Sequence, residues 1–74
     1  MKNVKRIPFQ KLLWCKIRYY QHTHDITNNR LADIMTVGER TLREYDKKAD
    51  NITLDKIDNF LNYSGISITE LMSQ

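Results

Sequence analysis

Cysteine is almost missing from this chain. A lone thiol, Cys15, excludes an internal disulfide and suits a reducing cytoplasm. Glycine and proline are also scarce, at two and one, which argues against an all-β or a disordered chain. Long apolar runs are absent. The stretch Leu12 to Cys15 is bracketed by Lys11 and Lys16, so neither a signal peptide nor a membrane span is expected. No repeat and no low-complexity tract interrupts the chain. A length of 74 residues suits one domain. Such a domain buries only about 60% of its unfolded surface, so its margin of stability is small.

Charge is present in quantity but unevenly placed. The net charge is +3, and residues 1–18 carry six Lys or Arg and no acid. Residues 19–50 are nearly balanced, with five basic and six acidic side chains, and residues 51–74 carry one basic and three acidic. A basic beginning, with residues 1–6 as an arm or a solvated tail, suits a polyanion or an acidic protein patch.

Periodicity predicts an all-α fold of five short helices. Pro8 starts the first, whose apolar stripe is Phe9, Leu12, Leu13, Ile17 and Tyr20, ending near Gln21. Trp14 falls off the middle of that stripe beside Lys11 and Arg18. There it is either a binding anchor or, more simply, an edge of the core. His22 to Asp25 reads as a loop. Thr27 is a candidate N-cap for a second helix over Asn28 to Met35, with Leu31 and Met35 on one face and small Ala32 beside them. Gly38 marks a restart, and Leu42 and Tyr45 give the third helix, Glu39 to Lys47, its buried side. Asp50-Asn51 signals a turn. Thr53 caps a fourth helix with Leu54, Ile57, Phe60 and Leu61 inward, and Gly65 ends it. Ser67-Ile68-Thr69-Glu70 is a capping-box pattern before a fifth helix.

Two short helices around a tight turn make a helix-turn-helix. Thr27, Leu31-Ala32, Val37, Leu42 and the ending Ser67-x-x-Glu70-Leu71 together resemble the Cro/C1-type helix-turn-helix regulators of phages and bacteria. The resemblance covers roughly residues 26–72. It implies a lambda-repressor-like domain over residues 1–74 and a cytoplasmic phage-type transcriptional regulator of the lysis and lysogeny kind. Such a protein is a monomer or weak homodimer, with no membrane partner. This chain departs from the family pattern at Thr36, where glycine is usual. Ile34 stands at a usually polar position, Ser64 at a usual core leucine, and Glu39 at the head of the third helix.

Two kinds of partner follow from the resemblance. Double-stranded operator DNA would be read by Arg40 and Arg43, with Asn28, Asn29, Arg30, Lys47 and Lys48 on phosphate. Glu39 and Glu44 oppose phosphate, unless Glu39 accepts a cytosine amino group. The alternative is an anti-repressor, a modulator of repression. It would present Ile34, Glu39, Glu44 and Asp46 to the DNA-reading surface of a phage repressor. No enzyme, cofactor or metal is expected. His22, His24 and Asp25 match no established ligand spacing, and Cys15 with either histidine makes a poor nucleophilic pair.

Overall fold

The structure is a computed structural model that describes residues 7–74. The basic arm expected over residues 1–6 lies outside the described residues. Among the described residues the chain is helical and has no strand. It runs α1 (Phe9–Thr23), α2 (Asn28–Met35), α3 (Glu39–Lys47), a single 3-10 turn (Ala49–Asn51), α4 (Leu54–Ser64) and α5 (Ile68–Met72).

Capping explains most of the boundaries. The Thr27 hydroxyl accepts the Arg30 N–H at 3.1 Å and opens α2. Ser67 and Glu70 form the full capping box of α5, at 3.1 Å and 2.8 Å. Gly65 ends α4 at φ 73°, in the left-handed region that glycine enters without strain. Three expectations shift. Pro8 is the residue before α1 rather than its first. That helix runs on to Thr23, past Gln21, because nothing before His24 breaks it. The Thr53 hydroxyl bonds the Asp55 carboxylate and leaves α4 without a side-chain cap.

The link from α2 to α3 is short. Thr36 sits at φ 60° and ψ 44°, a left-handed conformation that costs a β-branched residue about 1–2 kcal/mol. Val37 N–H closes back on the Ala32 carbonyl at 2.9 Å. From α4, Lys56 Nζ and Asn59 Nδ2 reach the Thr36 hydroxyl at 3.0 and 3.2 Å. Gly38 then caps α3 in extended backbone, φ −85°, and so needs no glycine for conformation.

One core holds these elements. Leu13, Ile17, Leu31, Met35, Leu42, Phe60 and Leu71 are each at most 2% exposed. Helix α2 packs on α3 and α4, and α1 packs on α3, the 3-10 turn and α5. Tyr20 meets Phe60 edge to face at 5.3 Å, and Trp14 meets Tyr45 at 5.1 Å. Each such pair adds about 0.5–1.5 kcal/mol beyond area burial.

Three apolar side chains stand elsewhere than their periodicity predicts. Phe9 and Leu54, assigned to the core, are 58% and 80% exposed. Both sit in the first turn of their helices, at the rim of a shallow apolar groove between α1, α4 and α5. Trp14 goes the other way and is buried at 3% exposure. Its ring fills the seam between α1 and α3, so it is a core residue rather than a surface anchor.

Candidate nucleic-acid or partner interface

Helix α3 has two unlike sides. Leu42 and Tyr45 are buried at 1% and 6% exposure, which fixes the rotation of the helix about its axis. Burial, with the nearby charges of Asp55 and Glu44, also raises the Tyr45 phenol above its usual value, so it stays protonated. With that side held, Glu39, Arg40, Arg43, Glu44 and Lys47 all project into solvent.

The outward charges are loosely arranged. Arg40 Nε lies 3.7 Å from Glu44 Oε2, with side chains 86% and 62% exposed. An exposed pair at that distance contributes at most about 0.5 kcal/mol. Glu39 accepts a hydrogen bond from Asn29 Nδ2 at 3.2 Å, which ties the start of α3 to the start of α2. Arg43 and Lys47 make no ion pair among the described residues. Arg30 lies 4.0 Å from Asp33 and stacks its guanidinium 5.1 Å from the Tyr63 ring centroid.

Two of the candidate residues also serve the fold. The Asn28 side-chain oxygen accepts from Arg18 Nη1 at 2.7 Å and from Gln21 Nε2 at 2.8 Å. It therefore ties α1 to α2, while the residue itself remains exposed. Ile34 is half-buried against the core, so it offers only part of its surface.

The polar network behind Asn28 had no periodic signal in the sequence. Arg18 clasps Asp46 through Nε at 3.0 Å and Nη2 at 2.8 Å, and the Trp14 indole N–H donates to the same carboxylate at 2.7 Å. Arg18 also donates to Gln21 at 2.6 Å and lies 5.0 Å from the Trp14 ring centroid. Gln21, at 2% exposure, is the buried polar residue of the core. Its amide donates to the Ile26 carbonyl at 3.1 Å. Among the described residues, no buried side-chain polar atom lacks a partner. Partial burial pushes the Asp46 carboxyl up, but the Arg18 and Trp14 hydrogen bonds and the Arg18 charge outweigh it. The net value is below the usual carboxylate range.

His22 and Thr23, read as loop in the sequence, belong to the last turn of α1, and His24 is its C-cap. The His24 ring stacks on Tyr20 at 3.8 Å between centroids. Among the described residues, no cluster of His, Cys, Asp or Glu is placed to hold a metal ion. Among the same residues, no helix is long and apolar enough to cross a membrane. No family model, no curated protein and no solved structure matches the chain.

Proposed function

We propose that this chain is a small DNA-binding regulator of the Cro/C1 helix-turn-helix kind, acting in the cytoplasm in a phage-type lysis or lysogeny switch. In this reading α2, the Thr36–Gly38 link and α3 are the helix-turn-helix, residues 1–74 are one domain, and α3 enters the major groove of an operator. The chain works by binding, not catalysis, and needs no cofactor. The observation that carries the reading is the pairing of faces on α3. Leu42 and Tyr45 lock one side into the core, while Arg40 and Arg43, three residues apart, stand exposed on the other. A guanidinium there can meet guanine O6 and N7 in a bidentate contact, contributing about 1–3 kcal/mol of discrimination. Asn29, Arg30 and Lys47 lie outside the core, where phosphate is approached. The test is a gel shift with the chain's own promoter region. Arg40→Ala and Arg43→Ala should each abolish the specific shift without lowering the melting temperature. A wild-type chain that shifts no such DNA at low salt contradicts the reading.

A second reading is favoured by a different observation. The outer face of α3 carries acid as well as base, with Arg40 beside Glu44 and Glu39 bonded to Asn29. Acid so placed repels phosphate but complements the basic DNA-reading surface of a phage repressor. As an anti-repressor the chain would shift no DNA alone and would release a repressor from its operator. Glu39→Lys separates the two readings, since it strengthens DNA binding in the first and weakens the repressor complex in the second.

A further inference from the structure

We propose that the groove between α1 and the C-terminal end of α3 is a track for the phosphate backbone of duplex DNA, so that α1 grips the duplex alongside α3. This rests on the DNA-binding reading above and adds a second contact surface to it. The groove encloses about 540 Å³. Its α1 wall is one helical stripe, with Lys11, Cys15, Tyr19 and His22 recurring every three or four residues. From Pro8 to His22 the stripe extends about 21 Å, at 1.5 Å per residue. The facing wall is the chain from Asp46 to Asp50.

Four cations line the groove, Lys11, Arg18, Lys47 and Lys48, against two carboxylates, Asp46 and Asp50. Asp46 is already held by Arg18 and Trp14. Asp50 lies 3.8 Å from Lys48. Lys11 and Lys47, on opposite walls, make no ion pair among the described residues. Lys16, the remaining cation of α1, lies outside the groove and donates to the Gln74 carbonyl. Tyr19 is 54% exposed, so its hydroxyl is available to a phosphate oxygen.

Continuity argues for DNA rather than a point anion. Lys47 belongs to the outward stripe Arg40–Arg43–Lys47 of α3 and also lines the groove, so basic side chains continue from the reading face to the α1 wall, with Glu44 and Asp46 among them. Helix α1 carries Lys11, Lys16 and Arg18 and no carboxylate. A helix wall of that sign suits a polyanion. A repeating row of phosphates suits an extended stripe, and a single anion does not.

Cys15 supplies the readout. It is the chain's sole cysteine, it is exposed, and it lines the groove. The experiment measures the rate of iodoacetamide labelling of the wild-type chain, alone and with saturating mixed-sequence DNA duplex at low salt. The expected result is several-fold slower labelling with duplex. In parallel, Lys11→Gln and Lys47→Gln should each reduce the salt slope of log Kd by about 0.9, equally for specific and unrelated duplexes. Unchanged melting curves for both variants show that a lost slope is not lost fold. If the duplex binds but labelling and slopes stay unchanged, the track is wrong and the α3 reading survives. If no duplex binds at all, both fail. If polyglutamate protects Cys15 and DNA does not, the groove takes an acidic protein segment, and the proposal is overturned.

Discussion

Two of the arginine–carboxylate pairs among the described residues do opposite work. Arg18 and Asp46 meet across α1 and α3 at 2.8 Å, with the arginine side chain only 16% exposed and an indole N–H on the same carboxylate. Arg40 and Glu44 meet within α3 at 3.7 Å, in the open. In the first, the arginine is mostly covered although the Asp46 side chain is 47% exposed, and the two bonds plus the indole N–H tie α1 to α3. In the second, water screens the attraction, so the arginine separates from its partner at almost no cost. Charge that is screened at rest is charge a ligand can recruit.

The largest expected effect on stability breaks the first pair. Arg18→Ala removes the donor shared by Asp46, Gln21 and Asn28, while Asp46 keeps the Trp14 bond and Asn28 the Gln21 bond, and should cost about 1–2 kcal/mol in a urea melt. A loss below about 0.5 kcal/mol would mean that the seam is no different from the exposed pair. Next, Arg40→Ala should change stability by less than about 0.5 kcal/mol. On the DNA-binding reading it should nevertheless weaken operator binding by about 2 kcal/mol, roughly 30-fold. A stability loss as large as that of Arg18→Ala would erase the contrast.

Smaller effects sharpen it. Thr36→Gly leaves both pairs intact and relieves the left-handed strain, for a gain of about 1 kcal/mol in the same melt. A loss instead would show that the Lys56 and Asn59 bonds to the threonine hydroxyl outweigh the strain. Acid tests the seam more gently. The folded Asp46 carboxyl lies below its unfolded value of about 3.9, so its contribution is complete above that value. It is lost as pH falls through the lower folded value. Melting temperature should therefore drop over that window in the wild type, and drop less steeply in Asp46→Asn. The smallest change is at the head of α3. A Cβ at Gly38 meets nothing within 4 Å. Gly38→Ser, adding a side-chain cap, should raise stability by a few tenths of a kcal/mol, measured by thermal denaturation.

Helix number and the principal core positions were legible in the residues. Thr27, Gly65 and the Ser67–Glu70 box are local chemistry, satisfied within one turn of chain, and periodicity found Leu31, Met35, Leu42 and Tyr45. Phe9 and Leu54 differ from what spacing predicts, and Trp14 takes the simpler of its two readings, for one shared cause. Phe9 and Leu54 have the right spacing to be buried, but spacing does not say where the neighbouring helix stops. Trp14 sits off the first helix's stripe, yet α3 approaches from that side and covers it. Among the nominated site residues, Arg40, Arg43, Glu39, Glu44 and Lys47 are exposed because α3 has one apolar side. Asn28 is exposed too, but its side-chain oxygen is bonded by Arg18 and Gln21, which lie far enough away in sequence that no local pattern links them.

By itself the sequence determined which segments are helices, their ends to within about two residues, and which side of each prefers to leave water. Caps and periodic apolar residues act over four residues or fewer, and so are written in consecutive positions. Only the tertiary structure decided which charged groups are spent on the fold. That depends on which helix lies opposite and how far it excludes water. Arg18 is 28 positions from Asp46 and is held, while Arg40 is four positions from Glu44 and remains available.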